Sequence, residues 1–199
     1  MYLDFKNEID YNKLNKPATI IKNGGIVIFP TETVYGIGTN GLDKTAIKSL
    51  YRVKERPLNK PISLLVNNID MINQVAKDIT DLEYNLIRKF FPGPLTLILK
   101  KKDCVPDILT AGSDTVGIRM PANEIALKLI DLAGVPIATP SANISGKPSG
   151  IVPEKILSDF NGKVDCFIDN GNSKIGLAST IVQVKDGIPQ ILRQGSIYI

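Results

Sequence analysis

The stretch PATIIKNGGIVIFPTETVYGIGTN, Pro17–Asn40, decides the architecture. Pro17 to Asn23 reads as a short helix. Gly24-Gly25 stops it, and Gly24 suits the left-handed residue that ends many helices. Ile26–Phe29 is an unbroken apolar run bounded by Gly25 and Pro30, the pattern of a strand buried on both faces. A helix that feeds directly into such a strand implies a sheet with helices packed on it.

The alternation continues outward. Asp43 caps a helix whose Ile47, Leu50, Tyr51 and Lys54 follow the i, i+3, i+4, i+7 spacing. Pro61 ends that region, and Ile62–Val66 is another buried strand. Thr80-x-x-Glu83 is a capping box that opens a helix through Phe91. Pro92-Gly93-Pro94 breaks it, and the strands Leu95–Lys100 and Thr115–Arg119 follow. Asn123 opens a helix that Gly134 closes. Pro136–Thr139 is a strand that runs into a polar loop, Ser141 to Gly150. Pro153 fits the first turn of a helix, and Val164–Ile168 is a strand. Asp186-Gly187 joins Thr180–Val184 to Pro189–Leu192 as a hairpin. The hairpin requires antiparallel pairing, so the expectation is an α/β fold with a twisted mixed sheet flanked by helices. No repeat, low-complexity tract or linker interrupts the 199 residues, which fit a single domain, 1–199.

The chain has no histidine. That excludes a Ser-His-Asp triad, a Cys-His pair and histidine metal ligands. Acid–base work would fall to a carboxylate, Lys, Tyr or the substrate itself. Cys104 and Cys166 stand far apart with no CxxC spacing, and two sulfurs alone do not make a structural zinc site. They read as reduced thiols of a cytosolic protein, and no metal ligands are expected. The N-terminal MYLDFKNEID carries early acids and lacks the apolar run of a signal peptide. The longest apolar runs are strand-sized, far below the ~20 residues of a membrane span. The expectation is a cytoplasmic protein with no membrane partner.

Net charge is +4, and it is unevenly spread. Lys44, Lys48, Arg52, Lys54, Arg56 and Lys60 face a single acid, Glu55, so this window alone carries +5. It suits either a solvated helix face or a phosphate-bearing ligand.

Several motifs bear on chemistry. Gly36–Gly41 spells GxGxxG, but the strand before it ends at Phe29 and no acid follows at the ribose-binding distance, so it reads as a turn-forming loop. Gly146-Lys147-Pro148-Ser149 fails as a P-loop end, because Ser141 stands where the first Gly belongs and Pro148 displaces the hydroxyl residue. Thr31-Glu32-Thr33 and Pro140-Ser141-Ala142-Asn143 each follow a strand directly, where open α/β sheets bind ligands and where such residues also serve caps and turns. Lys54-Glu55-Arg56, with Lys60 nearby, suits either dipole complementation of a helix C-terminus or a phosphate clamp in which Arg supplies forked donors and Lys a point charge. Thr115, Arg119 and Ser179 add hydroxyls and a guanidinium at further strand ends, and Arg119 suits either a structural acid or a ligand carboxylate. The set suits an anionic nucleotide together with a small polar acid.

At these residues the chain resembles the YrdC-like family, the threonylcarbamoyl-AMP synthases. Phe29-Pro30-Thr31-Glu32-Thr33-Val34-Tyr35-Gly36-Ile37-Gly38 is similar to that family's first signature. Lys54-x-Arg56 with Ser141-x-Asn143 is similar to its paired KxR…SxN signature. Pro92-Gly93-Pro94-Leu95-Thr96, Gly117-Ile118-Arg119-Met120-Pro121, Ser179-Thr180-Ile181 and Arg193-Gln194-Gly195 align in the same order, from roughly Pro17 to Gly195.

The resemblance implies a twisted α/β sheet over a large basic concave cavity. It also implies conversion of L-threonine, bicarbonate and ATP into threonylcarbamoyl-AMP and pyrophosphate, with Mg2+ on the triphosphate. The product would pass to a tRNA threonylcarbamoyl-transferase that makes N6-threonylcarbamoyladenosine. By motif, Thr33, Arg119, Thr139 and Ser179 would contact threonine. Arg56, Lys60, Thr115, Ser141, Ser149 and Arg193 would contact ATP. Lys54, Arg56, Ser141 and Asn143 would form the catalytic phosphate clamp. The chain departs from long members at Leu65, where they carry His, at Thr139, where many carry Ala, and at Gln194, where they carry Pro. It ends at Ile199, which implies the short, single-domain form. Two other readings stand beside this one. One is a non-catalytic RNA-binding protein of ribosome or tRNA maturation, for which weak binding of tRNA or double-stranded RNA is expected. The other is a carbamoyl-transfer relative with another acceptor.

Overall fold

A computed structural model describes residues 1–199. Its strands are β1 (Tyr2–Asp4), β2 (Val27–Phe29), β3 (Gly36–Asn40), β4 (Leu64–Leu65), β5 (Leu95–Lys100), β6 (Thr115–Arg119), β7 (Ile137–Ala138), β8 (Cys166–Asp169), β9 (Thr180–Lys185) and β10 (Ile188–Arg193). They join into one ten-stranded sheet in the order β1-β8-β2-β3-β7-β4-β6-β5-β9-β10. The pairs β1–β8, β2–β8, β4–β6 and β5–β9 are parallel, and the other neighbours are antiparallel. The sheet is therefore mixed, as the hairpin required. Flanking it are α1 (Asn15–Lys22), α2 (Lys44–Val53), α3 (Ile69–Val75), α4 (Asp81–Phe90), α5 (Asp107–Thr110), α6 (Glu124–Ala133) and α7 (Pro153–Phe160). No helix is long and apolar enough to cross a membrane.

Local chemistry sets the element ends. Asp43 Oδ1 accepts from the backbone N–H groups of Thr45 and Ala46, at 2.7 and 3.1 Å, and starts α2. Thr80 and Glu83 form both bonds of a capping box, and the Asn123 side chain accepts from Ala126 N–H at the start of α6. Gly24 and Gly134 adopt φ of 85° and 65°, ending α1 and α6 in the left-handed region. Asp186 and Gly187, at φ 52° and 74°, turn the two-residue hairpin that sets Ile188 opposite Lys185. Covered faces make β2 buried at all three positions, and a continuous core runs from Phe5 through Phe29, Ile47 and Leu97 to Val182.

The Gly36–Gly41 segment, apart from Gly41 itself, is not a turn. It is β3, antiparallel to β2. Its glycines serve close packing: a Cβ on Gly36 would stand 2.5 Å from Thr139 Cγ2, and one on Gly38 would stand 2.6 Å from Ile137 Cγ2 and 2.9 Å from Phe29 Cε1. Strands β2, β3 and β7 pack without room for side chains at these points. Two elements carry no clear periodic signal. β1 is a three-residue edge strand paired with β8, which is remote in sequence, and α3 has only seven residues.

Candidate functional site

The loops beyond β2 and β7, the segment between α2 and β4, the approach to β9 and the ends of β6 and β10 surround a cavity of about 180 Å³. Thr33, Arg56, Arg119, Thr139, Ser141, Ser149, Ser179 and Arg193 line it. These residues lie as far apart in sequence as 33 and 193, and the sheet order is what brings them together. No acidic side chain lines the cavity, whereas three guanidinium groups do.

Arg119 is 7 % exposed. Its Nε donates to Gly93 O at 3.3 Å and its Nη2 donates to Thr33 Oγ1 at 2.9 Å. Nη2 also stands 2.8 Å from Glu32 Oε2, an ion pair by distance whose N–H is not aimed at the oxygen. Arg193 reaches the cavity from the last residue of β10. Its Nε and Nη2 both donate to Ser179 O, at 3.2 and 2.7 Å. Ser179 Oγ lies 2.8 Å from Thr96 Oγ1, and Thr139 Oγ1 donates to Ile137 O at 3.0 Å. Desolvation of its guanidinium against the cavity wall, then the charges of Arg119 and Arg56, push the Arg193 pKa below its ordinary value, although the residue as a whole is exposed. Burial also lowers that of Arg56. Guanidinium groups do not release their protons in proteins, so the cavity is a crowded cationic site that an anion would relieve.

The end of α2 explains why Lys54 and Arg56 part company. Glu55 is left-handed at φ 54°, and Arg56 N–H donates back to Tyr51 O at 2.9 Å, which closes a Schellman turn. That turn sends Arg56 toward the cavity, where its Nε and Nη2 donate to Lys60 O and Pro61 O at 3.0 and 2.8 Å. Lys54 goes the other way. It is 1 % exposed, and its Nζ donates to Ser141 O at 2.5 Å, Asn143 O at 2.6 Å and Asn143 Oδ1 at 3.0 Å. All three ammonium protons are engaged, and none faces the cavity.

The phosphate clamp expected of Lys54, Arg56, Ser141 and Asn143 is thus divided. Arg56 and Ser141 line the cavity, whereas Lys54 and Asn143 brace the loop beneath it. Asn143 accepts from Lys54 and from Ser141 Oγ, and its Nδ2 donates to Ile144 O and Lys147 O. Lys60 is exposed, and it meets Arg56 through its carbonyl rather than its ammonium. Thr115 starts β6, at the opposite end from Arg119, and lines a separate cavity with Asp78, Glu83 and Gln183. The basic window also divides. Lys44, Lys48 and Arg52, four apart, form an exposed stripe on α2, and of the whole window only Arg56 lines the cavity.

Ser63, Leu65 and Thr96 line the cavity too. Thr96 follows the Pro-Gly-Pro break by two residues, and only its alternation with the buried Leu95 and Leu97 in β5 hints at its position. Cys104 is an exposed free thiol and Cys166 a buried one.

Comparison with known proteins converges on one group. The sequence model of the Sua5/YciO/YrdC family, whose description is telomere recombination, matches residues 19–195. The threonylcarbamoyl-AMP synthase of Pyrococcus abyssi is 44% identical over 195 residues, which span 98% of this chain and 57% of that protein. The chain therefore spans little more than half of that relative. A putative threonylcarbamoyl-AMP synthase of Methanocaldococcus jannaschii is 42% identical over 179 residues, 90% of this chain and 84% of that protein. The crystal structure of P. abyssi Sua5 complexed with L-threonine superposes with a TM-score of 0.95 at 44% identity, covering 98% of this chain and 57% of that one. Sequence and backbone fold thus agree over almost the full length, and the chain belongs to the Sua5/YciO/YrdC family.

Proposed function

We propose that the chain is an L-threonylcarbamoyladenylate synthase. It would be a nucleotidyltransferase that makes threonylcarbamoyl-AMP and pyrophosphate from L-threonine, bicarbonate and ATP. The observation that carries this reading is Arg119. Its Nε and Nη2 are committed to the protein, whereas Nη1 has no protein partner and is not sealed off. The unpartnered Nη1 offers two N–H donors to an α-carboxylate. The hydroxyls of Thr33, Thr139 and Ser179 around it both donate and accept, as a threonine amine and hydroxyl require. About 180 Å³ falls below the ~300–1,000 Å³ of drug-sized ligand pockets. The amino acid therefore fits within, and the nucleotide lies across the mouth against Arg56, Arg193, Ser141 and Ser149. The names of the P. abyssi and M. jannaschii relatives, and the threonine bound to the P. abyssi protein, support the assignment.

The chemistry asks for positioning. The threonine amine adds to the carbon of bicarbonate, and loss of water leaves a carbamate. A carbamate oxygen then attacks the α-phosphorus of ATP in line. The bond to the bridging oxygen breaks and pyrophosphate departs. Arg56 and Arg193 would neutralise charge on the phosphates, and Arg119 would hold the threonine carboxylate throughout. No step requires an imidazole, which this chain lacks. Mg2+ would arrive on the triphosphate, since no three His, Cys, Asp or Glu side chains gather to hold it. The product would pass, in the cytoplasm, to a transferase that modifies tRNA adenosine.

The test is pyrophosphate release with mass detection of the AMP product. Release should require ATP, bicarbonate and L-threonine together, and other amino acids should be poor replacements. Equal release without threonine or without bicarbonate would refute the reading.

A further inference from the structure

We propose that Glu32 is a positioning residue. It fixes the plane of the Arg119 guanidinium so that its free Nη1 faces the substrate carboxylate. The proposal rests on the reading of the cavity as an amino-acid site.

Glu32 is a buried carboxylate, 8 % exposed, and neither of its oxygens accepts an aligned hydrogen bond. Its one ionic partner is Arg119, at 2.8 Å. A buried ion pair as a whole adds little to a fold, although removing one partner leaves the other charge uncompensated. What its charge does here is directional.

The backbone that carries it is held from both sides. Ile175 N–H donates to Glu32 O at 3.0 Å, and Gly176 N–H donates to Thr33 O at 2.8 Å. Thr31 Oγ1 donates to Val34 O at 2.6 Å. The carboxylate is therefore a fixed negative point behind the guanidinium. Gly93 O, Thr33 Oγ1 and Glu32 together engage Nε and Nη2, and three anchors define a plane. Nη1 is left toward the cavity.

Arg56 and Arg193 line the same cavity, and their like charge repels Arg119 there. Two neutral acceptors alone would hold a repelled cation loosely. Glu32 attracts it from behind and keeps it seated while the site is empty. An incoming carboxylate then meets a guanidinium already aligned, so less ordering opposes binding.

The experiment compares wild-type protein with Glu32→Gln and Glu32→Ala. L-threonine affinity is measured by calorimetry, KM and kcat by pyrophosphate release, and the Arg119 Nε–H resonance by NMR. In Glu32→Ala, threonine binding should weaken about tenfold or more, the scale of one charge-assisted hydrogen bond. Glu32→Gln keeps the size and one acceptor and should fall between. KM for ATP should stay near wild type, and the Nε–H signal should broaden or shift as the guanidinium loosens. If Glu32→Ala does not fold, Glu32→Gln carries the comparison. Unchanged threonine affinity in the Gln variant, or equal losses for ATP and threonine, overturns the proposal. Wild-type protein that binds no L-threonine overturns the reading of function beneath it.

Discussion

Replacing Gly36 by alanine tests whether β3 glycines exist for packing against the cavity wall. The new Cβ would lie 2.5 Å from Thr139 Cγ2, whereas carbon atoms rest at about 3.5–4.0 Å. One of the two must retreat by about 1 Å. Thr139 is β-branched and has few rotamers. It gives way by turning about χ1, which breaks the Oγ1 bond to Ile137 O and swings that hydroxyl within the cavity. Overpacking of this kind costs about 1–3 kcal/mol, offset by about 0.5–1 kcal/mol because alanine is the less flexible residue in the unfolded chain. At about 2–4 °C per kcal/mol for a domain of this size, the melting temperature should fall by a few degrees. KM for threonine should rise more than KM for ATP. Thr139→Ala removes the clashing methyl, so Gly36→Ala placed on that background should cost much less. Thermal melts of wild type, the two single variants and the double variant form a cycle with a coupling of about 1 kcal/mol or more. Strictly additive melts would refute the packing argument.

Arg56→Ala should slow the reaction about a hundred- to a thousand-fold by removing a charge from the developing phosphate oxyanions. Arg56→Lys should recover little, because an ammonium cannot grip Lys60 O and Pro61 O while also facing the ligand. Steady-state kinetics beside a melt check both, and near-normal rates in the Ala variant would contradict the assignment. Lys54 predicts a dependence of stability on pH. Burial, then the Arg56 charge, lowers its pKa from 10.5 to about 7. Between those values the folded chain holds fewer protons than the unfolded one, so unfolding free energy should rise with pH through that window. Denaturant titrations at several pH values should show a shallower rise in Lys54→Met, and parallel curves for the two proteins would refute the linkage.

Much of the scaffold is legible because its signals are local. The Asp43 cap, the Thr80–Glu83 box, Gly134 and the Asp186-Gly187 turn each act within a few residues, and each stands where its chemistry predicts. Gly36 and Gly38 mislead because their cause is remote. Only the packing of Phe29, Ile137 and Thr139 explains them, and no window of sequence contains all of these. Lys54 and Arg56 show the same limit. Their spacing places both at a helix end, but one left-handed residue between them decides which faces inward. The carbonyls that take up Lys54 come from Ser141 and Asn143, far along the chain. β1 is hard to read for another reason: three residues bear no period, and their partner β8 is near the other terminus.

The placement of Arg193 has a kinetic side. β10 bonds only to β9, and all six of its residues are exposed. Its backbone is therefore among the parts of the sheet that open most cheaply, well below the free energy of global unfolding. One of the cavity's three cations rides on that strand. An opening of the hairpin would carry the Arg193 charge away from Ser179 and unlatch one wall of the pocket, so an anion held there would exchange without wider unfolding. The reverse coupling holds as well: an anion that binds only the closed hairpin slows amide exchange along β9 and β10, by the ratio of bound to free protein.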